Sequence, residues 1–211
     1  MPRRRSLGGY KHGQRKGEGL KSAHCDIPGF SASVRHLLRS ATAKDHAEVN
    51  DRFASLIGRG VVGYREFLQL SAAAVGPVEE ALREAHVERI LPDWEDRSRT
   101  ASLRADLAEL GVTTPPAVWP PPLGGEAHQF GVVYVLEGSR LGAKVLVRRL
   151  LASSDSQTLH AMRYLRHGEG LPLWQTFVER LESSAAVRRS PADAIAGAHA
   201  AFRWFGTRTV N

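Results

Sequence analysis

Two groups of residues in this 211-residue chain have types and spacings suited to chemistry. The first surrounds His46, which follows Thr42 by four residues and precedes Val49 by three and Phe53 by seven. That spacing puts the imidazole on the apolar face of a helix. Arg39 lies two turns up the same face, about 10.5 Å away at the rise of an α-helix, and Asn50 lies one turn below, where its side-chain oxygen can accept from the ring. A neutral imidazole oriented by such an acceptor can ligate a metal, and a guanidinium two turns away can pair with a carboxylate. The same pattern also describes a core histidine beside a surface arginine, and periodicity alone favours that plainer reading. The second group is Gly138 and Gly142 in "YVLEGSRLGAKVL". A glycine inside a helix costs about 1 kcal/mol against alanine. Bare backbone at two positions on one face serves either close packing of another helix or close approach of a ligand.

The elements that must hold these residues read as helices. Apolar spacing predicts the first from Ser31 or Ser33, as N-cap, to Ile57, with Gly58, Gly60 and Gly63 stopping it. "YREFLQLSAAAV" predicts a second, and Gly76-Pro77 a restart that runs to about Ile90. Another begins near Asp93 and closes at Gly111. The proline-rich "VTTPPAVWPPPLGG" forbids helix, and the long helix carrying both glycines follows it, roughly from Gly125 to Leu151. Three more are read in "SDSQTLHAMRYL", "PLWQTFVERLESSA" and "SPADAIAGAHAAFRWFG", with Ser154, Ser190 and Pro191 as starts. No segment alternates convincingly with period two, and "VVYVL" sits inside a helical run, so the expected class is all-α.

Composition removes several functions. Net charge is +7, but residues 1–22 hold seven Lys/Arg against one Glu, which leaves the rest nearly neutral. The basic, glycine-rich stretch 1–28 is therefore expected to be a disordered tail and 29–211 the folded domain, with no specific nucleic-acid site in the body. No apolar run approaches the length of a spanning helix, and the first residues lack a secretory signal. The single cysteine, Cys25, fits a reducing cytoplasm. Glu80, Glu84 and His86, or Glu126 and His128, have the wrong spacing for a di-iron carboxylate bundle. Neither a Gly-x-Ser-x-Gly elbow nor a phosphate loop is present.

The chain does resemble one family. "LRSATAKDHAEVN" is similar to the proximal-helix motif of heme oxygenases and "YVLEGSRLGAKVL" to their distal-helix motif, above all in the bacterial form encoded with bacteriophytochromes. "YREFL", "RSRTASLRADLAELG", "LWQTFVERL" and "AHAAFRWF" add matches in the same order, so the resemblance covers roughly residues 30–206. It implies a single all-α domain with heme between a proximal and a distal helix. The implied activity uses oxygen and reducing equivalents to open heme to biliverdin, carbon monoxide and ferrous iron.

Carried over by position, the resemblance implies His46 as axial iron ligand and Arg39 as the residue meeting a heme propionate. Thr42 and Asn50 become heme-side residues, and Gly138, Ser139 and Gly142 the distal catalytic face. Asn50 stands where many members have Glu, and an amide pushes less electron density toward iron. Ser139 stands where many members have an Asp that organises proton-delivering water, and Ala143 where another Gly is common. Arg163, Tyr164 and Arg166 are candidates for further propionate contacts. The implied partners are heme, oxygen, an electron donor such as a ferredoxin, and a bacteriophytochrome receiving the bilin, with no membrane. The alternative, motivated by Ser139 and Asn50, is a heme- or bilin-binding relative without turnover.

Overall fold

A computed structural model describes residues 33–113, 122–153 and 156–207, all within the compact unit Ala32–Asn211. Among these residues there are helices and no strands. In chain order they are α1 (Val34–Ala41), α2 (Ala43–Ile57), α3 (Gly60–Glu84), α4 (Trp94–Arg97), α5 (Thr100–Glu109), α6 (Glu126–Ser153), α7 (Ser156–His160), α8 (Arg163–Arg166), α9 (Leu173–Ser183), α10 (Ala185–Arg189) and α11 (Pro191–Gly206). A 3-10 turn, Val87–Arg89, links α3 to α4. No described helix is long and apolar enough to cross a membrane. Ser31, Ser154, Cys25 and the basic tail lie outside the described residues.

Several helix boundaries differ from the periodicity. The first predicted helix is two, because it is interrupted at Thr42, whose hydroxyl donates to the Leu38 carbonyl at 2.8 Å. Side-chain bonding of this kind competes with the helical ladder and bends the chain. Ser33 caps α1 as expected, but Glu182 of α9 also accepts from the Ser33 hydroxyl and from the Val34 and Arg35 amides. A carboxylate at a helix N-terminus satisfies orphan donors and complements the dipole. Gly63 does not stop a helix: it lies inside α3, where a Cβ would fall 1.8 Å from the Leu56 carbonyl oxygen. Nor does Gly76-Pro77 start one. The 25-residue α3 runs through Pro77, held by buried Val75, Val78 and Leu82 on both sides of it.

The helix expected from Asp93 breaks at Ser98, which is extended. Glu79 of α3 explains the break, accepting from the Ser98 and Thr100 hydroxyls and from the Arg99 and Thr100 amides at 2.6–3.0 Å. A buried carboxylate thereby caps α5 from another helix. Gly111 closes α5 with φ of +64°, as read from the sequence. The long helix matches its prediction closely, and Ser190 and Pro191 begin α11.

The core joins Tyr64, Leu68 and Leu82 of α3 to Leu103 and Leu107 of α5, Val133 and Leu136 of α6, Phe177 of α9 and Phe202 of α11. The most extensive helix pair is α6 on α11. A Cβ on Gly131 would lie 1.9 Å from the Ala194 carbonyl oxygen, and one on Gly197 would lie 2.1 Å from that of His128. These two glycines, and not Gly138 and Gly142, bring helix backbones together.

Candidate active site

The glycine face of α6 is bare for a different reason. A Cβ on Gly138 would make only ordinary contact, 3.8 Å from Trp174 Cζ3, and one on Gly142 would meet nothing within 4 Å. Helix packing therefore does not account for the pair. Leu141 and Val145, on the same stripe, remain 44% and 47% exposed, although both are large and apolar. Tyr134 sits one turn before Gly138, with its ring centroid 5.8 Å from that of Trp174. The result is a strip of bare backbone and apolar side chains with an aromatic wall, a shape that suits a flat apolar ring.

Opposite chemistry comes from α1 and α2. His46 is exposed, with its ring edge-on to Phe202 of α11 at 6.0 Å, and its imidazole has no hydrogen-bond partner among the described residues. The expected Asn50–His46 bond is not formed there, and Asn50 is likewise exposed. The apolar face that continues inward through Val49 and Phe53 thus reaches the surface at His46. Polar contacts also hold α2 against α11. Asp45 pairs with His199, and Arg52 donates to the Gly206 carbonyl at 2.6 Å, capping the end of α11. Thr42 is buried with its hydroxyl on Leu38, so its contribution is the bend between α1 and α2.

Arg39 is exposed at the end of α1. Its charge reaches α6: burial raises the Tyr134 phenol above its ordinary pKa, while Arg39 and then Arg35 pull it down. Arg39 and Arg35 of α1 thus lie within electrostatic reach of the turn of α6 that precedes Gly138. Among the candidates near the chain's end, Arg163 pairs with Asp106 and Glu109, Arg166 with Glu169, and Tyr164 is buried under the Arg99 guanidinium. None of the three is aligned with Arg39 by these contacts.

The residues that sequence reasoning missed are buried arginines. Arg97 is 1% exposed and donates to Asp93, Glu137, the Leu173 carbonyl and Thr176. Glu137, immediately before Gly138, also accepts from Arg140 at 3.0 Å. Arg140 in turn donates to the Arg97 carbonyl. This Arg97–Glu137–Arg140 lattice fixes the turn of α6 that presents the glycines. Arg99 donates to the Ser139 hydroxyl at 2.9 Å and to the Leu136 carbonyl at 3.0 Å, while Ser139 gives its own hydrogen to Leu136 at 2.7 Å. Arg97 and Arg99 lie in "RSRTASLRADLAELG", which reads as part of one helix from Asp93 to Gly111, and Arg140 lies between the two glycines of "YVLEGSRLGAKVL"; neither stretch signals a buried charge.

The residues present fit a heme: a free imidazole, a basic residue for a carboxylate, and a flat strip that added Cβ atoms would fill. No group of three or more His, Cys, Asp or Glu able to hold a bare metal ion occurs among the described residues.

No protein-family profile matches the chain. It is 36% identical over 145 residues to the heme oxygenase of Xanthomonas campestris pv. campestris, covering 68% of this chain and 87% of that protein. It is 31% identical over 140 residues to the heme oxygenase PigA of Pseudomonas aeruginosa, covering 61% and 67% of the two. The fold matches that of the NO- and CO-bound heme oxygenase of Neisseria meningitidis with a TM-score of 0.69 over 83% of this chain and 89% of that one, at 23% identity. The chain belongs to the heme oxygenase family and is an enzyme that degrades heme.

Proposed function

We propose that heme lies between α2 and α6 with His46 as its axial ligand, and that it is opened to biliverdin, carbon monoxide and iron. Bound heme supplies an iron that activates oxygen and a ring whose meso carbon is attacked. The chain supplies position. Arg39 pairs with a propionate and sets the rotation of the ring in its plane. Backbone at Gly138 and Gly142 covers the other face closely enough to exclude bulk water and to restrict which meso carbon is attacked. The observation that carries this reading is the open glycine strip of α6, bare where no helix needs it.

Ser139 acts here as an anchored acceptor. Its hydrogen is committed to Leu136, and it accepts from the Arg99 guanidinium. A proton needed on the distal side then comes through water held near this pair. The same observation favours a second reading, in which heme or bilin is held without turnover because Ser139 cannot act as an acid. The reducing equivalents come from a donor such as a ferredoxin, the bilin serves a bacteriophytochrome, and the reaction is cytoplasmic. The basic tail, residues 1–28, takes no part in heme chemistry.

Hemin added to the purified protein should give the Soret band of histidine ligation, and His46→Ala should lose or strongly alter it. An unchanged spectrum in that variant would sink the ligand assignment. Reductant and oxygen should then produce bilin absorbance. Tight hemin binding with no bilin would favour the second reading.

A further inference from the structure

A cavity of about 400 Å³ lies beside the glycine strip, between the second half of α6 and the segment that joins α8 to α9. It shares Leu141 and Trp174 with the surroundings of the strip but includes neither glycine nor His46. Its lining includes the apolar Leu141, Leu171 and Trp174, and Leu171 is 57% exposed. The lining also carries cations. Arg140 and Arg166 have carboxylate partners in Glu137 and Glu169. Lys144 and Arg148, one turn apart on α6, have no ion pair among the described residues.

Arg99 also lines this cavity, 3% exposed. Its guanidinium hydrogen-bonds only neutral acceptors among the described residues, and its Nε, itself buried, has no partner. A buried cation without a carboxylate is costly unless an anion is brought to it. The field agrees with this. Burial, then Arg140 and Arg99, hold the His167 imidazole below its usual pKa, and burial, then Arg99, lowers Arg140 against the opposing pull of Glu137.

We propose that this cavity is a second tetrapyrrole site, taking the ring-opened dicarboxylate product after it leaves the glycine strip. The inference rests on the reading that heme is opened to a bilin. Opening the ring removes planarity, and loss of iron removes the need for an imidazole. Two carboxylates on an apolar chain of pyrroles remain. Those features call for cations beside apolar walls, which this cavity has in Arg99, Lys144 and Arg148. A volume of this size falls within the usual range for small-molecule sites.

Biliverdin and hemin, each added ready-made, are titrated separately against the full chain, the double variant Lys144→Glu/Arg148→Glu, and Leu171→Ser. All three substituted side chains are exposed, and circular dichroism checks the fold. Both variants should weaken biliverdin binding, the charge reversal by about tenfold or more, while the hemin Soret titration stays as in the parent. Equal loss of hemin and biliverdin would make the cavity part of the heme cleft and overturn the proposal, and so would unchanged biliverdin affinity. Displacement of biliverdin by inorganic phosphate at a matching concentration would also overturn it, since a bare anion would then suffice. The titration does not depend on turnover. A protein that binds biliverdin here yet makes none would refute the proposed reaction and leave this site standing.

Discussion

Replacing Gly142 by alanine should make the protein more stable and worse at its task. The site is mid-helix in α6, and the new Cβ meets no protein atom within 4 Å. Helix propensity alone then favours the variant by about 1 kcal/mol, which for a chain of this size raises the melting temperature by about 2–4 °C. A ring lying in contact with this backbone is instead pushed away by the added methyl. Overpacking of one methyl costs about 1–3 kcal/mol, so hemin affinity should fall by about 5- to 150-fold, with a changed ratio of bilin isomers. Gly131→Ala is the control on the same helix. Its Cβ would sit 1.9 Å from the Ala194 carbonyl oxygen, so it should lower the melting temperature markedly. Thermal melts of the heme-free proteins, Soret titrations and chromatography of the product read all of this. A destabilised Gly142→Ala would mean that the glycine serves packing. A stabilised variant with unaltered hemin affinity and product would remove the glycine strip from heme contact, and with it the main support for the proposed reaction.

Glu137→Ala should be among the most destabilising single changes in α6, because it leaves Arg97 and Arg140 without the carboxylate they share. Breaking a buried pair costs about 3–5 kcal/mol, a fall of roughly 6–20 °C in melting temperature, and a loss of under 2 °C would show that the lattice is dispensable. Stability should also depend on pH through His128 and His167, whose pKa values burial lowers. Because both take up protons more readily in the unfolded chain, this contribution is complete above the ordinary imidazole value of about 6.5 and is lost as pH falls through the lower folded values. Melts between pH 7.5 and pH 5 should show it, and His128→Gln/His167→Gln should flatten that dependence. A variant as pH-sensitive as the parent would refute the assignment.

Much of the fold was legible because most of it is local. The 3.6-residue spacing of apolar residues marks α2, α6, α9 and α11, and Gly111 and Pro191 mark ends that backbone geometry alone requires. The family was legible too, since His46 and the Gly138–Gly142 pair are signals of residue type and spacing. What sequence left open was which of two reasons the glycines had. Gly131 and Gly138 look alike as letters, yet one faces the Ala194 carbonyl and the other faces the surface beside Trp174. Only the crossing of α6 and α11 decides that.

Tertiary structure also decided where helices break. Thr42 divides the first helix, and Glu79 reaches across from α3 to end one helix and begin the next at Ser98–Thr100. Pro77, which sequence treats as a start, is carried through α3 by burial on both sides. The arginines around the site show the same division most clearly. Arg97, Arg99 and Arg140 carry no periodic signal, because beside the local Asp93 and Glu137 they are held by partners 37–79 residues away, which become adjacent only when the helices pack. The sequence determined a helical protein with an imidazole and a bare strip suited to heme. The packing determined that the strip is open, and that a buried guanidinium stands behind Ser139.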